Sequence, residues 1–246
     1  MVEPVRIAMW SGPRNISTAM MRSFENREDT AVLDEPFYAA YLAATGKDHP
    51  MRAETLASQP TDNKDVVAQI MASPPGGRAI FYQKHMMHHM VEGFGLDWTA
   101  RFRNAFLIRA PEDVLASYAQ KRPDVSLYDI GFVEQRDLFE READRLGHAP
   151  PVIESKDVLA DPRGALTALC AALDIPFSEK MLSWPAGKRS TDGVWAPVWY
   201  EAVEKSTGFA APRESAPHKL SDDLQKIADA ARPHYERLTK FKLKAR

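Results

Sequence analysis

The segment that most constrains the fold is the stretch from Val5 to Phe24, VRIAMWSGPRNISTAMMRSF. Its first residues, VRIAMW, have strand character, the following SGP predicts a turn, and a helix is predicted from Ser17 onward. A buried strand that turns tightly into a helix is a natural anion site, because the first-turn N–H groups lack intrahelical partners and the helix dipole favours negative charge. We therefore predict a phosphate-binding loop. An ordinary strand–turn–helix with an exposed arginine is the alternative.

The side chains of this loop suit the same purpose. Arg14 would supply a cation, and Ser17 and Thr18 would supply hydroxyl donors at the start of the helix. The nucleotide loop of kinases and NTPases has the pattern G-x-x-x-x-G-K-[ST]. Here Ser17 and Thr18 follow Gly12 at the positions of the second glycine and the lysine. A kinase or NTPase on the same general fold is therefore an alternative that the sequence disfavours.

Apolar runs along the chain predict a parallel sheet. Strands are predicted at 5–10, 30–33, 78–83, 104–108 and 151–154. Helices are predicted between and after them at 17–24, 37–44, 65–72, 112–120, 126–146, 163–173, 199–206 and 220–240, the last interrupted or kinked at Pro233. Such alternation predicts an α/β fold with three layers, α/β/α, around a central parallel sheet, as in P-loop NTPases. No repeat, linker or composition break divides the sequence, so residues 1–246 are predicted to form one domain.

The carboxyl ends of parallel strands meet at one edge of a sheet, and ligands bind there in folds of this class. The predicted strands place Ser11–Thr18, Asp34-Glu35, Lys84-His85 and Arg109 along this edge. Polar segments that follow several strands indicate a shared site more strongly than any one motif does.

Charge and cysteine content narrow the classes of partner. The net charge of −2 gives no general attraction to nucleic acid or an anionic membrane, so neither partner is predicted and any anion site must be local. Cys170 is the only cysteine, which excludes an intrachain disulfide and a cysteine-based metal site. No segment resembles a signal peptide or approaches the length of a membrane span, so a cytoplasmic location is expected.

Four stretches carry a family resemblance: SGPRNISTAMM, FLIRAPEDVLASY, VIESKDVLADPRGALTALCAALDIPF and, more loosely, GKRSTDGVWAPVWYEAVEKSTGF. Together they resemble the sulfotransferase family, enzymes that use 3′-phosphoadenosine 5′-phosphosulfate (PAPS). The first is similar to that family's 5′-phosphosulfate loop, although Ile16 stands where the family has glycine. The second is similar to its 3′-phosphate motif, and the fourth to its cofactor-covering loop. The resemblance spans Val5 to Phe209.

The resemblance implies a set of residues that bind PAPS or its product, 3′-phosphoadenosine 5′-phosphate (PAP). They are Ser11, Gly12, Pro13, Arg14, Asn15, Ser17, Thr18, Arg109, Ser117, Lys188 and Arg189. Arg109 and Ser117 match the pair that grips the 3′-phosphate, and Arg14 matches the catalytic cation of the 5′ loop. A guanidinium at a strand end can clamp a phosphate bidentately. A surface ion pair with Glu112 or Asp113 is the alternative for Arg109.

Two residues are candidates for the base that takes the acceptor's proton. Glu35 follows the second strand, where some bacterial members of the family place a catalytic carboxylate. His85 follows the third strand, one residue out of register with the K-x-H of animal and plant cytosolic members. A capping or ion-paired carboxylate is the alternative for Glu35, and a structural histidine is the alternative for His85. Glu35 is slightly favoured, and both are kept.

Histidines and aromatic residues beside these positions allow other interpretations. His85, His88 and His89 share a helix face, but no acidic residue or cysteine stands at a ligand spacing, so no metal site is predicted. Trp195 and Tyr200, with Trp199, would stack on an adenine, line an acceptor pocket or pack in the core.

The resemblance implies transfer of a sulfuryl group from PAPS to a hydroxyl or amine of a small-molecule acceptor. A sulfotransferase-like protein that binds the nucleotide without transfer is a further alternative. Lys47–Asp62, predicted to be an irregular segment or lid, and Gly187–Phe209 are the expected walls of the acceptor pocket.

Overall fold

The structure is a computed structural model that describes residues 3–122, 124–211 and 219–244. Its central element is a parallel sheet of five strands. The strands are β1 (Val5–Ser11), β2 (Thr30–Asp34), β3 (Ile80–Met86), β4 (Arg103–Ile108) and β5 (Val152–Glu154). Their order across the sheet is β2-β3-β1-β4-β5. The predicted α/β fold with a central parallel sheet is confirmed.

Helices connect and cover these strands. They are α1 (Ser17–Glu25), α2 (Tyr38–Thr45), α3 (Arg52–Ser58), α4 (Asn63–Met71), α5 (Pro111–Tyr118), α6 (Leu127–Ile130), α7 (Phe132–Leu146), α8 (Ser155–Ala160), α9 (Pro162–Ala172), α10 (Ala196–Trp199), α11 (Glu201–Glu204) and α12 (Asp222–Thr239). Within the described ranges, none of them is both long and apolar enough to cross a membrane.

The alternation of side chains along β1 divides the core into two layers. Ile7 and Met9 face the layer formed by α1, α8 and α9. Ala8 and Trp10 face the opposite layer, which is formed by α4, α7 and α12. All four side chains are fully buried, as expected for a central strand covered on both faces. The two layers and the sheet between them make the predicted α/β/α sandwich.

The position of β1 sets the position of the site. It pairs with β3 on one side and β4 on the other, so the loop that leaves its carboxyl end is flanked by the ends of both neighbours. After β1, the next two strands in the sequence, β2 and β3, lie on one side of it, and the last two, β4 and β5, lie on the other. Such a reversal of strand order opens a crevice at the carboxyl ends of the strands.

Three predicted elements differ in the structure. The segment 47–62, predicted to be irregular, contains α3, on which Thr55 is fully buried. The predicted helix 126–146 is divided into α6 and α7 by Gly131, whose φ of 67° ends the first helix. The last predicted helix, expected to be interrupted or kinked at Pro233, is not interrupted there, since α12 runs from Asp222 to Thr239 with Pro233 inside it.

Candidate active site at the carboxyl ends of the strands

A cleft of about 360 Å³ opens at the carboxyl edge of the sheet. Its walls come from the loop between β1 and α1, the ends of β2, β3 and β4, helix α5 and the segment around α10 and α11. Predicted site residues on these walls are Pro13, Arg14, Asn15, Ser17, Thr18, Glu35 and Arg109. The parallel sheet therefore brings segments that are far apart in the sequence into one cleft.

The backbone of the loop explains its pattern of residues. Arg14 takes the left-handed conformation, with φ of 56°, whereas Ile16 has φ of −38° and needs no glycine. Gly12 is different, because a Cβ atom there would lie 2.5 Å from the carbonyl oxygen of Ile130. Glycine is thus required at position 12, where the loop passes close to α6. The residue with left-handed backbone in this loop is Arg14.

The first turn of α1 is open to an anion. Ile16 supplies no side-chain cap to its N–H groups, and no acidic residue stands in the first turn. Ser17 and Thr18 line the cleft at the same point. Uncapped N–H groups with adjacent hydroxyls form the kind of helix terminus that binds phosphate and sulfate groups.

Asn15 fastens the loop to β4. Its Nδ2 donates to the carbonyl of Leu107 at 2.8 Å, and its Oδ1 contacts the hydroxyl of Ser155. That hydroxyl also lies 3.0 Å from the carbonyl of Ile108. Because both ends of the Asn15 amide are engaged within the protein, its side chain positions the loop.

Two arginines and a serine form what we call the arginine end of the cleft: Arg14, Arg109 and Ser117. Arg14 Nε donates to Ser117 Oγ at 2.8 Å, and Arg109 Nη1 donates to the carbonyl of Arg14 at 2.6 Å. Burial and the positive charge of Arg109 lower the pKa of Arg14. Arg109 Nε also lies 3.7 Å from Asp113, in a partly exposed pair of the kind that contributes little.

A second group of charges, the lysine cluster, lies at the ends of β2 and β3: Asp34, Glu35, Lys84 and Tyr200. Lys84 Nζ donates to Glu35 Oε1 at 2.6 Å, to Tyr200 OH at 2.6 Å and to Asp34 Oδ1 at 3.0 Å. All four residues are buried. Although burial disfavours the charged lysine, Asp34 and Glu35 outweigh it and raise the pKa of Lys84.

The lysine cluster also holds the C-terminal wall of the cleft. Tyr200 donates its hydroxyl to Asp34 Oδ2 at 2.7 Å and accepts a hydrogen bond from Trp195 Nε1 at 3.0 Å. The N–H of Gly193 donates to the same Asp34 oxygen at 3.0 Å. Tyr200 lines the cleft, whereas the indole of Trp195 packs in the core against Tyr38. Asp34 thus joins the end of β2 to a segment of the chain that is remote in sequence.

Glu35 has one oxygen held and one available. Lys84 fixes Oε1, whereas Oε2 lies 3.9 Å from Nε2 of His89, beyond hydrogen-bond range, and burial lowers the pKa of that imidazole. Burial raises the pKa of Glu35, helped by the negative charge of Asp34, and Lys84 opposes the shift. A carboxylate that is positioned through one oxygen and whose pKa is raised can accept a proton on the other.

Residues 5–242 match the family model for the sulfotransferase domain. This chain belongs to the sulfotransferase domain family. The family resemblance predicted from the four sequence stretches is therefore confirmed.

Two curated relatives from Arabidopsis thaliana are named branched-chain-amino-acid aminotransferase-like proteins 1 and 2. They are 38% and 37% identical to this chain over 87% and 85% of its length. The alignments cover 38% and 37% of the relatives, so the chain spans about two fifths of the length of the curated proteins it matches. The crystal structure of a sulfotransferase from Alicyclobacillus acidocaldarius is 14% identical, with a TM-score of 0.52, over 98% of this chain and 96% of that one. At this identity, the similarity shows the fold.

In this sulfotransferase domain, His85 lies outside the cleft. Strand β3 extends to Met86, so alternation turns Lys84 towards the cleft and His85 to the other face of the sheet. There its ring packs against Trp10 and Trp98, with centroids 4.6 and 5.3 Å away, and burial lowers its pKa to about 3. The prediction of His85 as a base is corrected, because the ring has no access to the cleft.

Five other predicted residues do not line the cleft. Lys188 is exposed, and Arg189 lies 3.8 Å from Glu25, the last residue of α1, whereas the loop from β1 enters α1 at its first residue. Arg189 therefore lies at the opposite end of α1 from this loop. Ser11 and Gly12 are buried behind the loop, and Ser117 reaches the cleft through its bond to Arg14.

A group of neutral aromatic side chains lines the cleft beside Glu35. Tyr38 OH lies 2.9 Å from His49 Nδ1, and the Tyr38 ring stacks on His89 at 4.5 Å. Burial lowers the pKa of His49 to about 4 and that of His88 to about 3, so these imidazoles are uncharged near neutral pH. In the described part of the chain, no group of three or more His, Cys, Asp or Glu side chains could hold a metal ion.

Sequence reasoning found Glu35 but missed how it is held. Asp34 and Lys84 were expected at the same edge, and the register pairs them directly across β2 and β3. Tyr200 was considered only as an aromatic surface, because no local pattern links residue 200 to the end of β2. Strand register could have suggested the Asp34–Lys84 contact; the tyrosine required the tertiary structure.

Proposed function

We propose that this sulfotransferase domain transfers a sulfuryl group from PAPS to a hydroxyl or amine of a small-molecule acceptor. The observation that carries the proposal is the set of residues that line the cleft. One wall holds an uncapped helix N-terminus and two arginines, and a buried carboxylate with one available oxygen stands on another wall. Two anion-binding features together with a candidate base suit a nucleotide with two phosphates and a proton-losing acceptor.

The residues present fit the nucleotide by charge and by donor set. The first turn of α1, with Ser17 and Thr18, offers N–H and O–H donors and no competing acid. Arg14 and Arg109 add positive charge a short distance away, and burial with their mutual repulsion lowers the pKa of Arg14. An anion between such groups relieves that repulsion and satisfies donors that are otherwise open to water.

When bound, PAPS supplies a sulfuryl group whose bond to the 5′-phosphate oxygen breaks as a bond to the acceptor oxygen or nitrogen forms, leaving PAP. The N–H groups of α1 stabilise the negative charge that develops on the phosphate. Glu35 Oε2 takes the proton that the acceptor loses, and Lys84 holds Oε1 so that the other oxygen points into the cleft. No residue of this chain needs to form a covalent bond.

The acceptor would lie on the neutral side of Glu35. Tyr38, His49, His88 and His89 line the cleft there, and residues 199–210 complete the wall. His49 belongs to the segment Lys47–Asp62, one of the two expected walls of the acceptor pocket. Uncharged imidazoles favour an uncharged acceptor group over a fully ionised one.

Calorimetry with PAP tests the cofactor assignment. We expect the wild-type protein to bind PAP, and Arg109→Ala to weaken binding by about 10- to 150-fold, since a charge-assisted hydrogen bond contributes about 1.5–3 kcal/mol. Arg141→Ala is the matched control, because this exposed arginine pairs with Asp97 away from the cleft. The affinity of this variant for PAP should equal that of the wild type.

No measurable PAP binding by the wild-type protein would refute the cofactor assignment, and unchanged affinity in Arg109→Ala would refute the phosphate role of this arginine. Release of PAP from PAPS in the presence of a panel of phenols, alcohols and amines would establish transfer. PAP binding without release of PAP from PAPS with any acceptor would instead favour a nucleotide-binding homologue that does not catalyse transfer. Magnesium-dependent ATP turnover would favour the kinase or NTPase alternative.

A further inference from the structure

The cation of the phosphate-binding loop does not lie over the helix that the loop precedes. Arg14 Nε donates to Ser117 Oγ at 2.8 Å, and Ser117 belongs to α5, which follows β4. The side chain of Arg14 is therefore bonded to a residue of the predicted 3′-phosphate motif, FLIRAPEDVLASY, and not to the first turn of α1.

Two further features distinguish Arg14. Its backbone has φ of 56°, a conformation that few residues other than glycine adopt. Its carbonyl accepts a hydrogen bond from Arg109 Nη1 at 2.6 Å, which fastens the left-handed turn to the end of β4. Arg109 thus orients the peptide of Arg14 while its own guanidinium stays at the wall of the cleft.

We propose that Arg14 acts with Arg109 and Ser117 on the 3′-phosphate of the nucleotide, so that two guanidinium groups hold this phosphate. The inference rests on the proposed function, since it assigns roles within the same nucleotide site. The 5′ end then depends on the N–H groups of α1 and on Ser17 and Thr18. Arg14 is in this account a determinant of nucleotide specificity and not the catalytic cation of the 5′ loop.

The charges of the arginine end support this division. A phosphate monoester carries a charge of about −1.5 to −2 near neutral pH, which two guanidinium groups balance and one does not. The two arginines repel each other, and Asp113, at 3.7 Å from Arg109 Nε, is the only carboxylate paired with either guanidinium among the described residues. A dianion between them would remove this repulsion, and the bond to Ser117 already fixes the orientation of Arg14.

Comparison of two ligands tests the assignment. PAP carries both phosphates, whereas adenosine 5′-monophosphate (AMP) lacks the 3′-phosphate. We expect Arg14→Ala to weaken PAP binding by about 10- to 150-fold, the loss of one charge-assisted hydrogen bond, and to leave AMP binding unchanged. Arg14→Lys should lose part of the PAP affinity, because a lysine keeps the charge but not the planar donor set.

Thr18→Ala is the matched control at the opposite end of the nucleotide, and it should weaken both ligands by the same factor. Equal losses for PAP and AMP in Arg14→Ala would overturn the assignment and return Arg14 to the 5′ end. If AMP binds too weakly for calorimetry, phosphorus NMR of bound PAP decides: the 3′ signal, not the 5′ signal, should move in Arg14→Lys. A wild-type protein that binds neither ligand would refute the proposed function itself.

Discussion

The arginine end and the lysine cluster both gather charged side chains near the ends of strands, but they differ in charge balance. Charges are balanced within the lysine cluster, whereas positive charge is in excess at the arginine end. In the lysine cluster, one ammonium group faces two carboxylates and a tyrosine hydroxyl, and every donor of Lys84 has a protein acceptor. At the arginine end, two partly exposed guanidinium groups have a serine hydroxyl and a backbone carbonyl as hydrogen-bond partners, and one carboxylate, that of Asp113, lies 3.7 Å from Arg109.

This difference separates a site that waits for a ligand from one that positions a residue. Unbalanced positive charge at a cleft wall lowers its free energy only when an anion arrives. Balanced and buried charges need no ligand, but they fix geometry, because moving one of them would leave the others unpaired in a medium of low dielectric constant. We therefore expect changes at the arginine end to alter affinity and changes in the lysine cluster to alter stability or turnover.

The largest effect should be the loss of turnover in Glu35→Gln. This substitution keeps the shape of the side chain but removes the basic oxygen that would accept the proton. The amide oxygen can still accept from Lys84, so the fold and the affinity for PAP should stay unchanged. Turnover, measured as PAP release with an active acceptor, should fall by about 100- to 10,000-fold.

The pH profile checks the same role. A base works when deprotonated, and burial raises the pKa of Glu35, so turnover should decline as the pH falls through a value above about 4.3, the ordinary value for glutamate. Glu35→Gln should lack this acid limb. A variant that retains wild-type turnover would show that another group, or none, accepts the proton.

The next largest effect is expected on stability. Lys84→Met would leave Asp34 and Glu35 buried beside each other without a cation, which costs about 3–5 kcal/mol of the free energy of unfolding. Urea denaturation monitored by fluorescence measures the loss. Adding Asp34→Asn to this variant should recover part of the stability, because one of the two uncompensated charges is then removed. A loss below 1 kcal/mol would contradict the balance of charges described for this cluster.

The smallest effects compare one hydroxyl from each region. Tyr200→Phe should lower the free energy of unfolding by about 1–3 kcal/mol, because Lys84 and Trp195 each lose a buried acceptor. Ser117→Ala should change stability by less than about 0.5 kcal/mol, as is usual for partly exposed positions.

The affinities should rank in the reverse order. PAP binding should weaken about tenfold in Ser117→Ala, the lower end of what a hydrogen bond to a charged group contributes, and should stay unchanged in Tyr200→Phe. Calorimetry on both variants, together with their denaturation curves, gives the four values required. Similar profiles for the two variants would remove the distinction between the regions.

Much of the site followed from local patterns because strand ends and helix starts are local features. The SGP turn, the apolar run before it and the helix after it are all read from neighbouring residues, and the loop forms where it was predicted. Glu35 and Arg109 were found for the same reason, since each directly follows an apolar strand and lines the cleft.

The errors arose where a side chain's direction depends on the exact end of an element. The third strand was predicted to end at residue 83, but it continues to Met86, and this extension decides that Lys84 faces the cleft and His85 does not. The pair Lys188–Arg189 has suitable chemistry, but the path of its loop carries Arg189 to the far end of α1.

For this protein, the sequence by itself determined the parallel sheet, the turn from β1 into the start of α1, and the residues that follow each strand. Hydrophobic periodicity, turn chemistry and helix-terminal N–H groups act over a few residues, so a linear pattern specifies them. Only the tertiary structure decided that Tyr200 and Gly193 meet Asp34, and that Arg14 reaches Ser117. Those contacts join residues more than a hundred positions apart, and they depend on strand register and on one left-handed backbone angle, which no local pattern encodes.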